Sequence, residues 1–170
     1  MLRAFENAEP TVAADAFVSE MAYLVGDVEI EARSSIWPFA CLRGHGTAVD
    51  VGEETNVQEF AMLHGAMLGD AVTVGHGAVV DYAEVGDHTL VGMQSAVLSG
   101  ATVEDHCVVA ANAVVRKDQT VPSGHLAYGT PAETTPLTDA QLEQIDRTYE
   151  TYVELAARFR DAGLDVREVG

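Results

Sequence analysis

Lysine is almost missing from this chain: of nine basic residues only Lys117 is a lysine, set against 27 acidic ones. The net charge of −18 repels the phosphates of nucleic acids and anionic membranes, which argues against both as partners. Cysteine is scarce too. Cys41 and Cys107 cannot build a disulfide framework, so a cytoplasmic setting is the expectation. No apolar run reaches the roughly 20 residues of a membrane span. The N-terminal MLRAFENAEP lacks a basic start followed by an apolar stretch, so no signal peptide is expected. The acid is spread along the chain rather than gathered in a tail. A dispersed acidic surface this poor in lysine points to a halophilic host with high internal salt, where screening suppresses self-repulsion.

What is present is a period of six. Val12, Val18, Leu24, Ile30, Ile36 and Leu42 recur at that spacing, and so do Val85, Val91, Val97, Val103, Val109, Val115 and Val121. A helix repeats its apolar positions at three and four, so the period is not helical. It suits a short strand and a turn, with one aliphatic side chain per unit pointing inward. Between these aliphatics stand turn formers: Gly26-Asp27, Gly52, Gly75, Gly86-Asp87, Gly92, Asn112 and Gly124. Three such units close a triangular coil of 18 residues, and each coil pairs only with its neighbours above and below. The fold class read from this is an all-β solenoid, a parallel β-helix shaped as a triangular prism, over residues 1–136.

Between Leu42 and Val85 the phase slips: Leu42 to Val51 is nine residues and Val80 to Val85 is five. Slips in a solenoid are loops or tightened corners, and loops on a rigid scaffold carry function. Beyond Pro131 and Pro136 the pattern turns helical, giving a C-terminal helix within 137–170 that packs on the prism. Thr138 to Gln141 fits a capping box and Gly163 a stop. Leu142, Ile145, Tyr149, Tyr152, Ala156 and Phe159 form one apolar stripe.

Histidines cluster at the slip. His64 and Asp81 are 17 apart, one coil less one residue, and His45 and His64 are 19 apart. His45, His64 and Asp81 should therefore stack near one edge. His76 belongs to another face, and in a threefold trimer it can meet the column of the next subunit. Two imidazoles and a carboxylate, with one position left to water, form a known zinc arrangement. His88, His106 and His125 show no convergence and read as solvent-facing or structural.

The segments SSIWPFACLRGHG, ETNVQEFAMLHG, VTVGHGAVV, VGMQSAVLSGATV, VVAANAVV and YGTPAE together resemble the gamma-class carbonic anhydrase family, from about Val12 through the terminal helix. The resemblance implies a left-handed hand for the β-helix and a homotrimer with zinc, or iron or cobalt, between subunits. It implies hydration of carbon dioxide to bicarbonate. It places metal histidines at His64 and His76, and puts Asp81 where the family has a third histidine. It puts His45 where the family has an aspartate after Arg43-Gly44. By the same resemblance Gln58 contacts the water on the metal, Asn56 orients it, Arg43 and Glu59 make interface ion pairs, and Tyr152 faces the site from the terminal helix. His45, Glu54 and Glu59 are candidates for passing the proton to bulk water.

The changes at 45 and 81 leave three arrangements open: a metal held by His64, His76 and Asp81; His45 as third imidazole with Asp81 orienting a ring; or a dead site in which His45 pairs with Asp81. An aspartate ligand would make bound water less acidic and weaken carbon dioxide hydration. Two rival functions remain beside the metalloenzyme. One is a structural trimer without chemistry. The other is an acyl- or thioester-transferring enzyme of the wider hexapeptide group, for which no dedicated feature stands out.

Overall fold

A computed structural model describes residues 1–165. Each six-residue unit contributes a strand as short as two residues, an outward position followed by an inward aliphatic, as in Thr73–Val74 and Leu90–Val91. The inward residues form one continuous core: Leu42, Val51, Val57, Leu63, Val74, Val80, Val91, Val97, Val109 and Val115 are all 0% exposed. So few contacts per strand would not hold alone. They hold because the strands of successive coils pair in parallel, each inner strand with the coils on either side, making a left-handed β-helix.

One face shows the stacking plainly. Phe17–Val18, Ser35–Ile36, Asn56–Val57, Thr73–Val74, Leu90–Val91, Val108–Val109 and His125–Tyr128 lie in sequence order, one per coil, giving seven coils. The face closes with Glu133–Pro136, which turns back antiparallel on His125–Tyr128. The other two faces join through Tyr23–Ile30 and Cys41–Val51, which run round a corner as single strands.

The corners revise the expected role of glycine. Non-glycine residues occupy left-handed backbone there, among them His88 (φ 49°), His106 (φ 55°), Gln94 (φ 55°) and Asn112 (φ 61°). That conformation is unfavourable for L-residues, and inter-coil hydrogen bonds offset the cost. The N–H of Gln94 donates to the His76 carbonyl (2.9 Å), and that of His106 to the Asp87 carbonyl (2.9 Å). Gly86 and Gly92 serve a different need: a Cβ would lie 2.2 Å from Asp105 Oδ1 or 2.6 Å from the Ala111 nitrogen. They are glycine because the next coil is too close.

Both kinds of expected slip occur. In the paired strands, Gly26 to Val28 is two steps while Gly44 to Val49 is five, so three extra residues bulge out after Gly44. They account for the nine-residue spacing, and the bulge carries His45. Two corners are one residue short instead, from Leu63 to Leu68 and from Val80 to Val85. Each follows a three-residue strand, Met62–His64 and Val79–Asp81.

The terminal helix, α1, spans Asp139–Asp161. Gln141 Oε1 accepts from the Thr138 N–H (2.9 Å) and hydroxyl (3.0 Å), and Gly163 takes a φ of 73° beyond the last turn. Residues 166–170 of the expected helical segment lie outside the described residues. A second cluster docks α1 on the seven-strand face: Phe17 and Trp37 from the prism against Tyr152, Ala156 and Phe159. Ring centroids of Trp37 lie 5.4 Å from Tyr152 and 5.1 Å from Phe159. Ile145 joins the buried stripe, whereas Leu142 is 36% exposed.

An aspartate ladder ties one corner. Asp70 Oδ1 accepts the Glu53 N–H (2.8 Å), Asp87 Oδ1 the Asp70 N–H (2.9 Å), and Asp105 Oδ1 the Asp87 N–H (3.0 Å). Replacing Asp87 by Ala leaves one corner N–H without its acceptor and is expected to cost about 1–2 kcal/mol. Asp87→Asn, which keeps an acceptor oxygen, should cost clearly less; denaturant unfolding of the two variants checks this.

Candidate metal centre

Parallel register builds the first half of the centre. Asp81 pairs with His64, and His64 with Arg43, on three successive coils. His64 Nδ1 lies 2.9 Å from Asp81 Oδ1, and the Arg43 guanidinium lies 3.3 Å from the same nitrogen. A carboxylate only accepts and a guanidinium only donates, so both cannot bond one imidazole nitrogen. The shorter contact assigns the Nδ1 proton to the Asp81 bond. His64 Nε2 is then a bare acceptor, buried and without a hydrogen-bond partner among the described residues. The Tyr82 ring closes one side, with its centroid 4.4 Å from that of His64.

His45 reaches this cluster by a different route from the one the spacing implied. The register partner of His64 is Arg43, and His45 lies two residues further on, in the bulge. Its ring nevertheless stacks on His64, with centroids 5.9 Å apart and planes within 5°. The bulge leaves His45 exposed to solvent.

The second half sits on another corner. His76 Nδ1 lies 2.8 Å from Glu59 Oε2, and its side chain is 42% exposed. Glu59 and Arg43, implied as interface ion-pair partners, each approach a histidine of their own subunit. Beside them Asn56 and Gln58 are buried in a fixed chain: Asn56 Nδ2 donates to Thr73 Oγ1 (2.8 Å), and Gln58 Nε2 donates to Asn56 Oδ1 (3.1 Å). The Gln58 carbonyl oxygen is left as an acceptor. Thr73, which anchors the chain, was not anticipated, although it stands 17 residues after Asn56, one shortened coil on. Tyr82 was likewise missed; its place directly after Asp81 was the available signal.

A groove of about 430 Å³ runs from Gln58 and His76 beneath α1, past Tyr152 and over the apolar floor of Leu90, Val108 and Ala110. Burial raises the Tyr152 hydroxyl pKa above its ordinary value, with the Glu59 carboxylate adding to the effect.

The two halves do not meet in one chain. Among the described residues no group of three or more His, Cys, Asp or Glu side chains could hold a metal ion. The remaining histidines lie away from both corners. His88 stacks on His106 at 5.1 Å and faces Tyr149 and Asp146 of α1, while His125 Nδ1 lies 2.9 Å from the Ser123 carbonyl. Glu54 is bound to Arg33 at 2.8 Å, away from the centre.

Residues 82–117 match the model of the bacterial transferase hexapeptide (six repeats). Gamma carbonic anhydrase 1, mitochondrial, of Arabidopsis thaliana is 38% identical over 92% of the chain, which spans 61% of that relative's length. Carnitine operon protein CaiE of Salmonella agona is 34% identical, over 92% of this chain and 82% of its own. The crystal structure of a hexapeptide transferase family protein from Anaplasma phagocytophilum superimposes with a TM-score of 0.91 at 31% identity, covering 93% of this chain and 97% of that one.

The Tyr152 environment makes a pH-dependent outcome. The folded state favours the protonated phenol, so its contribution to stability is full below the ordinary tyrosine pKa of about 10 and is lost as pH rises through the folded value. A 295 nm titration of wild type minus Tyr152→Phe should show this tyrosine ionising above the ordinary range. Glu59→Gln should bring it part of the way back, because the burial contribution remains.

Proposed function

Because the chain belongs to the hexapeptide-repeat family that includes the gamma carbonic anhydrases and CaiE, we propose that it is a metal-dependent hydratase converting carbon dioxide to bicarbonate. It works as a homotrimer with its reaction centres between subunits. The observation that carries this reading is His64 Nε2, buried, unpartnered and held in place by the bond on the other ring nitrogen. An empty buried acceptor is costly, and a bare imidazole nitrogen is a ligand suited to zinc, iron or cobalt.

His64 and His76 would hold the ion, with Asp81 or His45 completing the residues around it. Their separation on two corners of one prism means that a single ion meets both only where two copies adjoin, and a threefold ring closes that contact. When bound, such an ion acidifies water enough to supply hydroxide near neutral pH. The chain's own residues do the rest. Gln58, immobilised through Asn56 and Thr73, offers its carbonyl oxygen to orient the attacking water. The apolar floor beneath α1 excludes bulk water and suits an uncharged substrate. His45, exposed and stacked on His64, passes the proton to solvent. Glu54 is less suited to that role because Arg33 holds it elsewhere.

A structural trimer is the second reading, favoured by one observation: Asp81 and His64 already form a complete pair in a single subunit. The name of the Anaplasma relative calls that protein a transferase, and acyl transfer by this chain would require coenzyme A binding.

Metal analysis separates these readings. Purified trimer, reconstituted with zinc, iron or cobalt in high-salt buffer, should carry about one ion per subunit, with His64→Ala carrying essentially none. No metal in the wild type would leave the structural trimer, and saturable coenzyme A binding would favour the transferase. The high-salt cytoplasmic setting has its own check. Screening shortens from about 10 Å at 0.1 M salt to about 3 Å at 1 M, so with a net charge of −18 the melting temperature should climb on adding KCl. A flat or falling curve would contradict the halophilic reading.

A further inference from the structure

We propose that Asp81 is a positioning residue, locking His64 with its proton on Nδ1 and its Nε2 lone pair bare. Asp81 on this account replaces a ligand without becoming one. The inference deepens the metal-centre reading above and rests on it for the identity of the ion.

Two histidines have a carboxylate near the same ring nitrogen, on different corners of the prism, and of the two contacts only that of Asp81 is a hydrogen bond. Asp81 Oδ1 lies 2.9 Å from His64 Nδ1, and Glu59 Oε2 lies 2.8 Å from His76 Nδ1. The Asp81 carboxylate cannot donate, so in the neutral ring His64 Nδ1 carries the hydrogen, and its Nε2 must be the lone pair. For His64 that lone pair is buried and has no donor. The in-plane directions of the two ring nitrogens diverge. An oxygen bonded to Nδ1 therefore lies on the far side of the imidazole from an ion on Nε2, so the oxygen bonded to His64 is not a ligand of that ion.

The consequence concerns charge. An aspartate bound directly to the ion would reduce its net charge and make its water less acidic. Held behind the ring, the same carboxylate raises the basicity of the imidazole and orients it. The protein then presents two neutral imidazoles, His64 from one copy and His76 from the next. The remaining positions around the ion are open to water, substrate or His45. The His-to-Asp departure at 81 is thereby compatible with hydration chemistry.

Long-range proton–nitrogen NMR of the metal-free, 15N-labelled full chain tests this directly, at about pH 8, above the ordinary histidine range. His64 should appear as the Nδ1–H tautomer. Asp81→Ala should convert His64 alone to the Nε2–H form, and Asp81→Asn, whose amide oxygen still accepts, should restore the original. His76, whose contact with Glu59 is not a hydrogen bond, is the internal control and should keep its wild-type tautomer in every Asp81 variant, and the wild-type His64 tautomer decides the question if Asp81→Ala fails to fold. An Nε2–H tautomer for His64 in the wild type, or no change in Asp81→Ala, would overturn the proposal.

Zinc titration adds the second arm. Asp81→Ala should bind at wild-type stoichiometry but about 10–100-fold more weakly. Complete loss of zinc from Asp81→Asn would identify Asp81 as a ligand and overturn the positioning role while leaving the metalloenzyme reading intact. A wild type that keeps the stated tautomer yet takes up no zinc would support the positioning role and sink the metalloenzyme reading instead.

Discussion

Backbone hydrogen bonding between successive coils is the constraint on which everything else here depends. A strand of two residues has almost no stability of its own, yet pairing above and below turns a stack of them into a rigid prism. The same bonds hold non-glycine corners in left-handed backbone and bring Gly86 and Gly92 too close to the next coil for any side chain. Parallel register then does chemical work. It sets Arg43, His64 and Asp81 one above another, because residues at the same place on successive coils are forced into contact.

Departures from the regular coil coincide with the candidate centre. The three-residue bulge after Gly44 delivers His45 onto the face of His64, and the two shortened corners follow His64 and Asp81 immediately. A perfect hexapeptide prism would place turn residues at these positions. The irregularities are tolerated because the inward aliphatics on either side, Leu42, Val51, Leu63 and Val80, stay fully buried. Helix α1 contributes from outside. Docked by Trp37 and Phe17, it lays Tyr152 beside Gln58 and His76 and roofs the groove that leads to them.

The electrostatics of the centre follow from pairing within the subunit. Both key histidines have a carboxylate of their own subunit close to Nδ1, Asp81 hydrogen-bonded to His64 and Glu59 lying near His76. The buried Asn56–Gln58–Thr73 chain adds rigidity without adding charge. On the proposed function, the apolar side of the groove suits an uncharged substrate and the exposed ring of His45 is the proton exit.

Much of this was legible in the residues. The period of six, with Val85 through Val121 as its clearest run, determines a coiled β-prism because only an inward residue at that spacing can bury so many small aliphatics. The helix limits were equally local, written in Thr138, Gln141 and Gly163. The 17-residue spacing of His64 and Asp81 foretold their stacking, since a coil less one residue lands on the same edge. Tertiary structure decided the rest. Spacing could not reveal that Arg43 rather than His45 is the register partner of His64, because a bulge changes which residue faces its neighbour without changing the count along the chain. Nor could it reveal that Asp81 and Glu59 each lie on the Nδ1 side of a histidine, because that depends on side-chain directions set by coils that meet only after the chain has wound back on itself.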